Sequence, residues 1–123
     1  MKSTATGVKR IFKAFGYSFA GFCAVFKSEA AFRQDLAVFV TGTAAAVYFD
    51  FTLTQKVLLI SALLLILLME LTNTAIEYVV DRISDEYHEL SKKAKDTGSL
   101  LVLIAFVNAI LIWGAVVYSA FFA

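Results

Sequence analysis

Between residues 70 and 81 the chain reads ELTNTAIEYVVD, which places Glu70, Asn73, Glu77 and Asp81 at intervals of three, four and four residues. At about 100° per helical residue the four side chains fall within an arc of roughly 80°. Three carboxylates and an amide on one helix face have two uses. A carboxylate can take a proton as a general base, and oxygen ligands suit a hard divalent cation. The same helix, however, enters this stripe from VLLISALLLILL, Val57 to Leu68. An ionised carboxylate in hydrocarbon costs on the order of 3 kcal/mol or more. A hydrogen-bonded seam gluing helices together would explain the stripe structurally, but amides make such a seam at lower cost. The stripe therefore reads as a functional site.

Other candidates stand beside it. Glu29 follows Ser28, a good N-cap, and an acid in a first helical turn is stabilised by the helix dipole. Paired with Glu77 at a similar depth, it could equally converge on Mg²⁺. Lys95 and Asp96 precede an apolar run; one reading is a charge obeying topology and a helix cap, the other a lysine that contacts a phosphate as a point charge. Arg10 and Tyr17, seven residues apart, share the polar face of an N-terminal amphipathic segment and could meet a cytosolic ligand. His88 is the sole histidine, and no H-E-x-x-H is present, so zinc has little support. No phosphate-binding glycine loop occurs either. Asn108 reads as an interhelical hydrogen bond, and Gly42 with Ala46 as a small-residue packing pair.

Placing these groups requires helices in a membrane. Of 123 residues, 60% are hydrophobic and 17% charged, with no proline; a typical soluble domain is roughly 45–50% apolar. A net charge of +1 without a long basic run excludes a nucleic-acid partner, and the single cysteine, Cys23, excludes an intramolecular disulfide. No signal peptide pattern opens the chain. About 20 apolar residues span a bilayer, and three segments qualify, at about 28–49, 55–80 and 99–123. The segment 7–27 repeats Val8, Ile11, Phe12, Phe15, Phe19, Phe22 and Phe26 along one face, the pattern of a helix lying in the membrane surface. Residues 81–98 are read as a cytosolic loop. Of the eleven Lys and Arg, six (Lys2, Lys9, Arg10, Lys13, Lys27, Arg33) precede the first span and four (Arg82, Lys92, Lys93, Lys95) join the second to the third; only Lys56 lies on the other side. Positive charge marks the cytosol, so the N-terminus is expected inside and the C-terminus outside, with Trp113, Tyr118, Tyr48 and Phe49 as an outer aromatic belt. Glu70 then lies roughly 22 Å along a core about 30 Å thick, near the cytosolic interface.

The stretches ELTNTAIEYVVDRISDEYHELSKKAKDTGS, EAAFRQD and RIFKAFGYS resemble, in order and spacing, the bacterial diacylglycerol kinase family of small integral-membrane lipid kinases, and the likeness covers essentially the whole chain. The resemblance implies an all-α membrane protein, an N-terminal amphipathic surface helix plus three transmembrane helices, assembled as a homotrimeric helical bundle with sites shared between subunits. It implies one kinase domain, residues 1–123, in the bacterial inner membrane, transferring phosphate from ATP to diacylglycerol to give phosphatidic acid. It makes Glu70 the general base, with Asn73 and Lys95 beside it as catalytic residues, and Glu29 and Glu77 the Mg²⁺ ligands. It puts Arg10, Tyr17, Glu29, Glu77, Glu86, Tyr87, His88, Lys95 and Asp96 around ATP. It lines the lipid path with Arg10, Ala14, Phe15, Tyr17, Ser18, Ala31, Phe32, Arg33, Gln34, Asp35, Glu70, Ser99 and Trp113.

The sequence departs from the family pattern at Phe15, Phe19 and Lys92, and in the first span and outer loop. An undecaprenol kinase of the same fold, a small proton-coupled transporter and a purely structural membrane subunit are the alternatives.

Overall fold

A computed structural model describes residues 6–123 as four helices: α1 (Gly7–Ser28), α2 (Ala30–Tyr48), α3 (Leu53–Ile83) and α4 (Glu89–Phe121), with no strand among the described residues. Lys2, one of the cations used to orient the chain, lies outside them. The chain divides into two compact units, one ending at Ala30 and the other running from Ala31 to Ala123.

The first unit is α1. Its apolar stripe is uncovered: Val8, Ile11, Phe12, Phe15 and Phe19 are all 58–72% exposed, as a helix face made for lipid would be. Phe22 and Phe26 stack one turn apart, with ring centroids 5.9 Å apart. The end of α1 corrects the sequence reading. Ser28 does not cap a following helix; it is the last residue of α1, and its Oγ donates to Ala24 O at 3.0 Å. Glu29 is not inside a first turn. It stands between two helices with extended backbone, φ −118° and ψ 107°. No glycine or proline marks this break, which is why the sequence hid it.

In the second unit α3 and α4 form an antiparallel hairpin. At about 1.5 Å per residue their 31 and 33 residues are roughly 46 and 50 Å long, well beyond a hydrocarbon core of about 30 Å. Each contains an apolar window long enough to cross a membrane, with mean hydropathy 2.1 and 2.7. Only 39% and 17% of those windows is buried in the chain, so these are not core helices of a water-soluble protein. α2, at 19 residues, does not reach that standard, because Arg33, Gln34 and Asp35 occupy its start and leave an apolar body of only 36–48.

The charged segment 81–98 is not a loop. α3 continues to Ile83 and α4 begins at Glu89, leaving five residues, 84–88, as the turn. Hydropathy locates the part of a helix that meets lipid and says nothing of where the helix ends. Here the ends are held by local bonds. His88 caps α4, its Nδ1 accepting from Leu90 N at 3.0 Å. Glu89–Lys93 and Lys92–Asp96 pair one turn apart at 3.4 and 2.6 Å. Asp96, read as a candidate cap, therefore lies in the interior of α4.

Small residues bring the helices close, as membrane packing demands. Ala62, Leu63 and Ile66 of α3 meet Ala105 and Ala109 of α4 in one buried cluster. Ala46, Phe51, Leu59 and Val116 form a second. The Gly42/Ala46 pair in α2 does pack: Ala46 is fully buried, and a Cβ on Gly42 would stand 2.5 Å from Leu63 Cδ1 and 3.5 Å from Trp113 Cζ2. Trp113 Nε1 donates to Leu59 O at 3.2 Å, tying α4 to α3. At the same end of the hairpin Phe49, Phe51 and Phe121 meet edge-to-face, with centroids 5.6–6.5 Å apart. A capping box at Thr52 and Gln55 starts α3. Lys56, the lone cation on this side, donates to Val47 O at 3.0 Å in the last turn of α2, where a positive charge is favourable.

Candidate active site at the charged end of the hairpin

The acidic stripe lies where α3 leaves its apolar window, and burial along it is graded. Glu70 is 8% exposed, Asn73 and Glu77 are half-buried, and Asp81 is exposed. Within the chain, the residue nearest the apolar run 57–68 is the most enclosed. Thr74, one turn from Glu70, is also buried.

Three contacts organise the stripe. Asn73 Nδ2 donates to Glu77 Oε1 at 3.3 Å. Asn73 Oδ1 is buried, has no hydrogen-bond partner, and faces Gly98 of α4. Lys95 Nζ pairs with Asp81 Oδ1 at 2.6 Å across the hairpin. The hydrogen bond to Asp81 raises the Lys95 ammonium pKa above its ordinary value of 10.5; desolvation opposes it, and the charges of Asp81, Glu77 and Asp85 add to it. Lys95 therefore carries its charge throughout the neutral range. Because the folded value is raised, what the Lys95 charge contributes to stability is lost only as pH climbs above 10.5 through the folded value.

Beside this pair a cleft of ≈ 520 Å³ opens over the turn, lined by Asp81, Ser84, Asp85, Glu86, Tyr87, His88, Ser91, Lys92, Lys95 and Asp96, with Val80 at its base. Ligand pockets are roughly 300–1,000 Å³. The structure thus brings together Glu86, Tyr87, His88, Lys95 and Asp96, five of the residues expected around a nucleotide. It places Glu77 on the stripe just above them. Arg10, Tyr17 and Glu29 belong to the first unit.

The cleft is net acidic, since Asp81, Asp85, Glu86 and Asp96 outnumber Lys92 and Lys95. A phosphate chain enters such a cleft favourably only when a cation accompanies it. Among the described residues no three His, Cys, Asp or Glu side chains converge as a metal site. The donor chemistry fits Mg²⁺: Glu77 presents a carboxylate, and every other acid at this end is an oxygen ligand.

Of the residues expected along a lipid path, Ala14, Phe15 and Ser18 are exposed on α1. Ala31, Phe32, Arg33, Gln34 and Asp35 form the first turns of α2; of these Phe32 is 2% exposed and Asp35 half-buried. Ser99 is exposed beside Gly98. Trp113 is half-buried and bonded to Leu59 near the other end of the hairpin. Gly98 itself was missed, and its signal is a glycine inside a helix next to candidate site residues.

A hairpin with mostly outward-facing apolar sides, an enclosed carboxylate, a half-buried amide and a lysine lining an open cleft is an all-helical chain with two candidate membrane spans and a polar site at its charged end. The sequence profile described as prokaryotic diacylglycerol kinase matches residues 16–117. A diacylglycerol kinase of Escherichia coli (strain K12) is 46% identical over 121 residues, covering 98% of this chain and 99% of the relative. One from Pseudomonas aeruginosa is 45% identical over 111 residues, covering 90% of each, and one from Haemophilus influenzae is 37% identical over 113 residues, covering 92% and 96%. The chain belongs to the prokaryotic diacylglycerol kinase family. It is accordingly an enzyme, and the transporter and structural-subunit readings are set aside.

Proposed function

We propose that the chain transfers the terminal phosphoryl group of ATP to the hydroxyl of diacylglycerol, giving phosphatidic acid and ADP at the cytosolic face of the bacterial inner membrane. The observation that carries the mechanism is the graded stripe, with Glu70 enclosed at the apolar edge and Lys95 over the open cleft. A lipid hydroxyl sits at the interface between hydrocarbon and water, and a nucleotide arrives from water. The two meet along this stripe. Glu70 takes the hydroxyl proton as the oxygen attacks phosphorus. Asn73 holds Glu77 in place through its amide. Lys95, already protonated, moves from Asp81 to the transferring phosphoryl group and offsets its charge. Phosphoryl transfer requires positioning and charge compensation more than covalent help, so no glycine loop is needed. Glu77 and Glu29 are the carboxylates that would hold Mg²⁺, which when bound would supply the remaining positive charge. Glu86, Tyr87, His88 and Asp96 hold the nucleotide from the turn side, with Arg10 and Tyr17 from α1. In this reading both units form one kinase domain, α2 is the third span, the N-terminus is cytosolic, and Ala14, Phe15, Ser18, the 31–35 segment, Ser99 and Trp113 guide the lipid.

Purified protein in detergent with Mg-ATP tests the proposal. ADP release should depend on added diacylglycerol. Dependence on undecaprenol instead would shift the assignment to that substrate, and release dependent on neither lipid would overturn it.

Metal use gives a narrower test. Glu77→Gln and Glu29→Gln each remove one anionic ligand, so each should raise the Mg²⁺ concentration needed for half-maximal rate, with partial recovery at high Mg²⁺. An unchanged Mg²⁺ dependence in both variants would remove these residues from the metal.

The apolar faces of α3 and α4 that the chain leaves uncovered support assembly, and we propose a homotrimer with shared sites. Mixed oligomers of Glu70→Gln and Arg10→Met chains should regain measurable activity if one subunit's α1 serves another's Glu70. No recovery in demonstrably mixed oligomers would confine each site to one chain.

A further inference from the structure

Gly98 lies ten residues into α4 and is buried. Glycine inside a helix costs roughly 0.5–1 kcal/mol relative to alanine, so its presence needs a reason. The reason is across the hairpin. A Cβ built on Gly98 would collide with Asn73 Oδ1, stand 3.2 Å from Asn73 Cγ and 3.7 Å from Asn73 Cα. The first two atoms belong to the amide itself, while the third is an ordinary contact. The nearest occupant of the space left by the missing side chain is therefore the Asn73 carboxamide.

The filling sets the amide's direction. Oδ1 is enclosed against Gly98 with no hydrogen-bond donor, and the hydrogen on Gly98 that takes the place of a Cβ points at it, a weak Cα–H···O contact. Nδ2 is thereby turned along α3 to Glu77 Oε1. An unpaired buried amide oxygen is costly, and an Asn73 free to rotate would swing it toward water. We infer that Gly98 is a positioning residue: the absence of a side chain there seats Asn73 and aims its amide donor at Glu77. Gly98 touches neither substrate in this scheme and acts through Asn73. The inference rests on Asn73 and Glu77 belonging to the kinase site.

A double-mutant cycle tests it, with Gly98→Ala, Asn73→Ala and the pair, read by thermal stability in detergent and by kcat at saturating Mg-ATP and diacylglycerol. Gly98→Ala alone should lower both, with kcat falling about tenfold, within the coupling found for contacting residues. In the Asn73→Ala background the Cβ has room, so adding Gly98→Ala should change kcat less than about twofold and hold or raise the melting temperature, since the helix-glycine cost is then relieved. Equal losses in both backgrounds would mean general packing and overturn the inference, as would a silent Gly98→Ala in the native background. If Gly98→Ala alone does not fold, folding of the double variant supports the seat and its failure refutes it. Wild-type protein that releases no ADP with diacylglycerol would sink the kinase reading and the catalytic half of the inference, while the melting temperatures still decide whether Gly98 seats Asn73.

Discussion

Glu70→Gln should give a well-folded, membrane-inserted and nearly inactive protein. The amide keeps the shape of the side chain and much of its hydrogen-bonding capacity but accepts no proton from a lipid hydroxyl. Glu70 is 8% exposed, and a neutral amide is cheaper to enclose than a carboxylate, so thermal stability should hold or rise. Removing a positioned general base costs about 10²–10⁴-fold in rate. The loss should appear in kcat, with the apparent affinity for Mg-ATP largely kept, because the cleft over residues 84–88 is untouched. Single-turnover phosphorylation of diacylglycerol by the purified variant is the direct measurement. Near-normal turnover would return Glu70 to a helix-gluing role.

Lys95→Met should be almost as damaging, through a different term. Lys95 supplies charge where negative charge develops, and losing one such preorganised group costs about 10²–10³-fold in kcat. The methionine preserves much of the length and apolar character of the stem. The lost partner is Asp81, which is 59% exposed and can be hydrated; exposed pairs contribute little to stability. The melting temperature should therefore move little while activity collapses. Lys95→Arg keeps the charge but not the compact ammonium, and is expected to recover only part of the rate. A large drop in melting temperature with proportionate activity per folded molecule would make Lys95 a structural tie to Asp81 and nothing more.

Period and polarity reveal some of this and conceal the rest. The stripe at 70, 73, 77 and 81 is legible because helical spacing alone puts those residues on one face, and its graded burial follows from where the apolar run ends. The amphipathic helix α1 is legible for the same reason. The helix ends are not. The segment 81–98 is charged, so it reads as a loop, yet its Glu89–Lys93 and Lys92–Asp96 pairs are helix-stabilising at that spacing. The capping box at Thr52 and Gln55 was readable as T-x-x-Q. The break at Glu29 carries no breaker residue and could not be read. Nor could the bonds that tie the helices together: Trp113 to Leu59 joins α4 to α3 across 54 positions, and Lys56 to Val47 O, joining α3 to α2, looks in sequence like a misplaced cation. Gly98 acquires meaning only when Asn73 is seen opposite it.

The outward-facing apolar sides of α3 and α4 also decide what unfolding this protein would measure. In a water-soluble domain, denaturation exposes apolar surface to water, and a large positive heat-capacity change and a steep denaturant slope follow from it. Here only 17% of the α4 window is buried by its own chain, and separating the helices would trade protein contacts for contacts with lipid or detergent tails. The hydrophobic effect then contributes little to holding the pieces together, and the free energy rests on close packing and a few polar bonds. Calorimetric unfolding in detergent should accordingly report a heat-capacity change per residue well below the approximately 12–15 cal/mol/K of soluble domains. It also makes fits such as Gly42 against Leu63 and Trp113 weigh more in this molecule than their small area suggests.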